Sequence, residues 1–225
     1  MSNCLFVIMK KYFVIVLMCL IVFSLSFLLV GCSSDVDNND FWEEIMEESG
    51  YEVATLAGGC VWCIEAAFDG GDGIISATSG YTGGDASTAS YYEVVGGDTG
   101  HRESVRITFD PAIVSYEEVL NIFWRQIDPT DSGGQFADRG NQYTTAIYYH
   151  NEAQKEIALK TKKEQEESKR FGDSAFVTEI LAVGAFYEAE EEHQNYAQKR
   201  TTRYKLYEEG SGRAGFLRGI WNSEK

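Results

Sequence analysis

Past residue 63 the chain has no cysteine, and its 225 residues include only two prolines, Pro111 and Pro129, each in an Asp-Pro turn. Of five cysteines, Cys4 and Cys19 lie in an N-terminal apolar segment and Cys32 ends it, so Cys60 and Cys63 are all that the rest of the chain holds. A loop that short constrains an unfolded chain little, which excludes a disulfide-stapled scaffold. Basic residues are scarce as well, 19 against 35 acidic, for a net charge of −16. That balance excludes nucleic acid as a partner and serves solubility near a surface. There is no internal repeat and no low-complexity domain. A hydrophobic fraction of 44% with 13% aromatics is ample for a packed core.

No acid precedes Asp35, and Lys10-Lys11 open an uncharged apolar run from Tyr12 to Val30 that ends in Leu29-Val30-Gly31-Cys32. Basic start, apolar core and small residues before a cut are the marks of an export signal, although the run is also nearly long enough for an uncleaved membrane anchor, and hydropathy alone does not separate the two. Leu-Val-Gly-Cys resembles the lipobox of bacterial lipoproteins. The resemblance implies a signal over residues 1–31 with Met1 or Met9 as its start, and lipidation of Cys32 as the mature N-terminus. A polar tether would follow over residues 32–48. The protein would then be exported and held by acyl chains on the outer face of the cytoplasmic membrane.

From residue 49 to 225 a single domain is expected. Val53–Leu56 reads as a strand, Gly58-Gly59 as a tight turn and Cys60–Phe68 as a helix. Ile74–Ser79 is a second strand, and a Gly/Ser/Thr-rich loop runs from Gly80 to Ser90. Glu103–Phe109 alternates with Val105, Ile107 and Phe109 on one face. Ser115 and Glu118 form a capping box for a helix over 116–127. A loop over Gly133–Asn141, a strand over Tyr143–Tyr149, an Asn151-capped helix to Lys169 and a strand over Phe176–Val183 follow. The charge run 160–170 is a solvated helix face. The order β-α-β-β-α-β predicts an α+β fold, a split β-α-β (ferredoxin-like) two-layer sandwich with an extended C-terminal segment.

Cys60 in the first turn of a helix meets free N–H groups and the positive end of the dipole, both of which favour thiolate. It is the natural nucleophile, and Cys63, one turn on, can attack an oxidised sulfur there. Three other readings of the pair stand beside this one. A thioredoxin-like exchanger has the same strand-to-helix dithiol, although its fold wants a cis proline facing the pair. Zinc could use both thiols with two of His101, His150 and His193. The two cysteines could also be plain buried hydrophobes.

Gly58-Gly-Cys-Val-Trp-Cys-Ile-Glu-Ala-Ala-Phe68, Ser79-Gly-Tyr-Thr-Gly-Gly84, Tyr91-Tyr-Glu-Val94, Gly97-Asp-Thr-Gly-His-Arg-Glu103, Asp138-Arg-Gly-Asn-Gln-Tyr143 and Glu192-His-Gln-Asn-Tyr196 occur in series. Together with a tail of Gly210-Ser-Gly-Arg213, Phe216-Leu217 and Trp221, they resemble the peptide methionine sulfoxide reductases of the A type. The resemblance spans residues 51–221. It implies Cys60 as nucleophile, Glu103 as proton donor to the departing oxygen, and Tyr91 and Tyr143 as hydrogen-bond donors to it. Asp138 would shape the substrate pocket and Trp62 would pack on the methyl group. Alone, each is a half-buried ring, a strand-end charge, a loop acid or core; their joint spacing carries the reading.

The chemistry asks for such a set. A sulfoxide oxygen leaves poorly, so attack on sulfur needs a proton delivered to that oxygen. A carboxyl group buried beside aromatics keeps its proton near neutrality. Two departures stand out. Val61 replaces the family's usual Phe in the pocket, and no resolving cysteine lies near the C-terminus, which leaves Cys63 or an external thiol. Ile127 stands where a histidine is common.

The expected function is reduction of methionine S-sulfoxide, free or in oxidised proteins and peptides, through a Cys60 sulfenic acid and a Cys60–Cys63 disulfide. The expected protein is a monomer without metal or organic cofactor, and a thioredoxin-like donor reopens the disulfide. Mass spectrometry of the mature N-terminus should find Cys32 first and carrying a diacylglyceryl group; an intact segment ahead of Cys32 would overturn the anchor.

Overall fold

The computed structural model describes residues 50–221. The signal, the lipobox at Cys32 and the whole tether lie outside them. Six strands form one sheet in the order β7-β6-β1-β3-β2-β8: β1 (Glu52–Gly58), β2 (Ile74–Thr82), β3 (Arg102–Phe109), β6 (Thr145–Tyr149), β7 (Glu179–Ala182) and β8 (Phe186–Glu188). β3 lies antiparallel between β1 and β2, and β6 pairs antiparallel with β1. This is the split β-α-β arrangement. β7 adds parallel to β6 and β8 antiparallel to β2. A two-stranded hairpin of β4 (Gly134–Gln135) and β5 (Asp138–Arg139) stands apart.

One face of the sheet carries Ala54, Leu56, Val105, Ile107, Phe109 and Ile147, and packs on helices α1 (Val61–Phe68), α3 (Tyr116–Trp124) and α4 (Glu152–Glu167) through Ile64, Phe68, Leu120, Phe123 and Ala158. Alternation along β1 and β3 puts these residues on one side, and the antiparallel register brings Leu56 opposite Val105 and Ala54 opposite Ile107. The Trp124 indole donates to Thr161 Oγ1 at 3.1 Å and ties α3 to α4. Ile127 is fully buried in this core. The capping box at Ser115 and Glu118 is complete, and Asn151 caps α4 through Gln154 N.

Several boundaries differ from the sequence reading. The strand expected to end at Ser79 continues to Thr82, because Gly80, Tyr81 and Thr82 pair with β3 on one side and with β8 on the other. Tyr143 closes a short 3-10 turn (Asn141–Tyr143) and does not open β6. The helix at 116 stops at Trp124, short of 127: Gln126 N turns back to Phe123 O, and Asp128 precedes a proline that disfavours helix. Phe176–Thr178 lie ahead of β7, since Val177 N bonds Pro129 O at 2.7 Å and Thr178 Oγ1 pairs with Thr145 Oγ1 at 2.9 Å. Beyond the sheet the C-terminal segment is largely helical: α5 (Tyr196–Lys199), α6 (Thr201–Gly210) and α7 (Arg213–Trp221). A further helix, α2 (Tyr91–Gly96), interrupts the loop before β3.

Candidate active site

β1 delivers the chain to Gly58-Gly59, and both glycines are required there. A Cβ on Gly58 would fall 2.5 Å from Ile64 Cδ1. Gly59 has φ +81°, and a Cβ there would fall 2.6 Å from Gln135 Cβ. α1 starts immediately afterwards with Cys60 as N-cap, and its first free N–H, that of Val61, donates to Glu103 Oε2 at 3.0 Å. Glu103 comes from the start of β3, so one bond joins the dithiol turn to the central strand.

Cys60, Val61, Trp62, Tyr91, Glu103, Asp138 and Tyr143 line a single cavity of about 290 Å³. These are the sequence-derived candidates other than Cys63 and Cys32. Cys63 is buried one turn behind and hydrogen-bonded to Cys60. Five residues outside that set also line the cavity: Tyr81, His193, Tyr196, Arg203 and Tyr207. Tyr81 sits in the Ser79–Gly84 motif and His193 and Tyr196 in the Glu192–Tyr196 motif, so their signal was present. Tyr207 was one among 13 tyrosines. Tyr207 donates its hydroxyl proton to Asp138 Oδ2 and lines the cavity with Cys60.

Trp62 is held on three sides. It stacks on Tyr196 with centroids 3.8 Å apart, meets Tyr207 edge-on at 5.7 Å, and donates Nε1–H to His193 Nδ1 at 3.3 Å. That donor fixes the imidazole tautomer, with the proton on Nε2. Tyr91 stacks on the same imidazole at 4.3 Å, and its backbone N–H is held by Glu190, which also accepts from Tyr81. Gln194 pins the turn carrying His193 and Tyr196 to β2, accepting from Ser79 N at 3.0 Å and donating to Ser79 O at 2.8 Å.

Burial pushes the Glu103 carboxyl well up. The adjacent Cys60 raises it further, and the bond from Val61 N only partly offsets this. Burial also raises Asp138, Tyr91 and Tyr143, so the two phenols stay protonated and can donate. Cys60 corrects the sequence reading. Its position at a helix start predicts a thiolate, yet burial pushes the thiol well above its ordinary range. The N–H expected to favour the sulfur is spent on Glu103, and 5% exposure leaves little water to solvate a charge. Cys63 moves down, chiefly through the hydrogen bond with Cys60, and its burial works against that.

Of the three histidines only His193 lines the cavity with Cys60. His101 is held near the Gly83-Gly84 turn by Gly84 N and Asp85 O, and His150 bonds Thr55 Oγ1 at 3.0 Å. Burial and Arg106 push His150 down to about 4. Among the described residues no group of three or more His, Cys, Asp or Glu could hold a metal ion.

The cavity brings a buried carboxyl group and a buried thiol together. The family model for peptide methionine sulfoxide reductase matches residues 52–225. The chain belongs to the peptide methionine sulfoxide reductase family. It is 53% identical over 170 residues to the peptide methionine sulfoxide reductase MsrA of Bacillus licheniformis, covering 76% of this chain and 93% of that one. It is 51% identical over 173 residues to that of Bacillus subtilis, covering 77% and 97%. Mxr1 of Saccharomyces cerevisiae in reduced form superposes with a TM-score of 0.64 at 32% identity, over 68% of this chain and 87% of that one. Methionine sulfoxide reductase A of Corynebacterium diphtheriae gives 0.59 at 30%, over 68% and 76%.

The chain is thus an oxidoreductase that reduces methionine sulfoxide with thiols, and a general thiol-disulfide exchanger is not favoured. In this reductase the raised Glu103 pKa has a cost. Above the ordinary glutamate pKa the folded chain keeps a proton that the unfolded chain releases, so stability falls as pH rises, by about 1.4 kcal/mol per unit up to the folded pKa. Glu103→Gln keeps an acceptor for Val61 N–H and removes this titration. Its denaturation midpoint should overtake that of the wild type progressively from pH 5 to pH 8; parallel pH profiles for the two proteins would contradict a buried neutral acid.

Proposed function

We propose that the substrate is the S epimer of methionine sulfoxide, free or in oxidised proteins and peptides, and that Cys60 attacks its sulfur. Glu103 gives its proton to the sulfoxide oxygen while Tyr91 and Tyr143 donate hydrogen bonds to it. The sulfur–oxygen bond breaks, methionine leaves, and the oxygen remains on Cys60 as a sulfenic acid. The thiol proton of Cys60 is lost as the attack begins. Glu103 is later reprotonated, so the net change is transfer of one oxygen from substrate to thiol. Cys63 then attacks Cys60, the sulfur–sulfur bond forms and water departs with the oxygen. A thioredoxin-like donor of two electrons reopens the bridge.

Trp62 and Val61 give the methyl group an apolar wall, and Asp138 with Tyr207 closes the far side. A wall for the methyl, donors for the oxygen and a mouth for the peptide together fix three substituents of a chiral sulfur. Such a pocket accepts one epimer. The observation that carries this reading is the 3.0 Å bond from Val61 N to Glu103 Oε2, which holds a protonated acid beside the Cys60 sulfur in one cavity.

No metal or organic cofactor enters the scheme. We read the enzyme as a monomer tethered through lipidated Cys32 to the outer face of the cytoplasmic membrane, supported by the Lys10-Lys11 start, the apolar run and the Leu-Val-Gly-Cys ending. Its substrates would then be surface and secreted proteins.

With dithiothreitol as reductant, a blocked methionine S-sulfoxide should be consumed and its R epimer left; equal consumption of both would overturn the pocket assignment. Cys63→Ser should complete one turnover and leave a dimedone-trappable sulfenic acid, with thioredoxin-driven cycling lost. Unchanged cycling would remove Cys63 from the scheme.

A further inference from the structure

Arg213 is the first residue of α7, and its side chain is 1% exposed. Nη2 donates to Gly58 O at 2.9 Å and Nη1 to Gln126 O, and the guanidinium lies 4.7 Å over the Phe136 ring. Phe136 itself is held at φ +57°, a region costly for a bulky side chain, at the tip of the hairpin that carries Asp138. Among the described residues no carboxylate comes within 4.0 Å of this guanidinium, whereas Arg102, Arg106, Arg139 and Arg218 each have one. A buried cation supported only by carbonyls and a ring is expensive, and such a charge is retained where it faces a transient anion.

The anion is close at hand. Gly58 lies two residues before Cys60, and a Cβ on Gly59 would be 3.0 Å from Arg213 Nη2. The groups facing the dithiol are Tyr81 from β2, Glu103 from β3, Asp138 from β5, Tyr91 from α2, Tyr143 before β6, His193 before α5 and Tyr196 at its start, and Arg203, Tyr204, Tyr207 and Glu208 from α6. Arg203 is exposed at the mouth, whereas Arg213 is buried and acts electrostatically on both cysteines.

We propose that Arg213 is the built-in counter-charge of the Cys60–Cys63 dithiol, a positioning residue that stabilises thiolate there and makes the bridge easy to reopen. The inference rests on the bridge assigned under Proposed function. In the bridged state neither sulfur carries charge, and the acid that feels the guanidinium is Asp138, which has no direct ion pair with it. When a thiolate of the external dithiol attacks one sulfur, a mixed disulfide forms, the Cys60–Cys63 bond breaks, and its electron pair leaves on the other cysteine as thiolate. Arg213 stabilises that leaving group. The donor's second thiol then breaks the mixed disulfide, and the donor departs oxidised with both cysteines reduced.

The test uses the full-length chain with Arg213→Gln, which keeps donors for the Gly58 and Gln126 carbonyls without the charge, and Arg213→Lys, which keeps the charge. In Arg213→Gln the pH midpoint for alkylation of the dithiol should rise by about one unit, a tenfold loss of thiolate at pH 7. The bridge should also require a roughly tenfold higher ratio of reduced to oxidised dithiothreitol to open. Arg213→Lys should stay near the wild type in both. Unchanged midpoint and redox balance in a folded Arg213→Gln protein would overturn the proposal, as would a folded Lys variant as impaired as Gln. If Gln does not fold, Arg213→Met is read by the same two measurements. A wild type that never forms the bridge would instead refute the mechanism on which the inference rests.

Discussion

The hydrogen bond between Val61 N–H and the Glu103 carboxyl organises this molecule's chemistry. It takes the first free donor of α1 and gives it to a side chain from β3, so the helix that presents Cys60 and the strand that presents the acid cannot move independently. The close approach depends on the Gly58-Gly59 turn, which lets β1 run under Ile64 and Gln135 with no room for a Cβ. Sheet register does the rest: Leu56 opposite Val105 puts the end of β1 beside the start of β3, where Glu103 stands. A split β-α-β sheet thus places a nucleophile from one crossover and an acid from the neighbouring strand within one cavity.

The second half of the pocket is supplied from the C-terminal third of the chain and held by different physics. The helices α5 and α6 bury few side chains of their own, and aromatic stacking and side-chain bonds to backbone position them. Gln194 anchors the turn to β2, and Tyr196 lies flat on Trp62. Asn195 takes the left-handed conformation needed to enter α5, which asparagine tolerates better than most residues. The apolar wall is therefore a stack built from two distant segments, and it forms only when the C-terminal region closes over α1.

Much of this was legible in the sequence wherever a local signal had a single physical meaning. The alternation of Val105, Ile107 and Phe109, the Ser115–Glu118 capping box and the glycine pair before Cys60 each dictate one structure, and each is found. The edge strand β8 was not legible, because three residues after Gly184 carry no periodicity. Tyr207 was hidden because its role arises from a contact with Asp138 across 69 positions, which no local pattern encodes. The ionisation of Cys60 was misread for a related reason. A helix start is a local feature that favours thiolate, whereas burial is a tertiary one that opposes it, and here burial is larger.

That correction changes how the site must work. A permanent thiolate beside a protonated acid would invite proton transfer between them, leaving an ionised acid with nothing to give the sulfoxide oxygen. Burying both groups keeps both protons in place, since either charge alone would be poorly solvated. A buried acid and a buried thiol are thus held ready in one cavity, and charge develops on either only when a substrate is there to receive it.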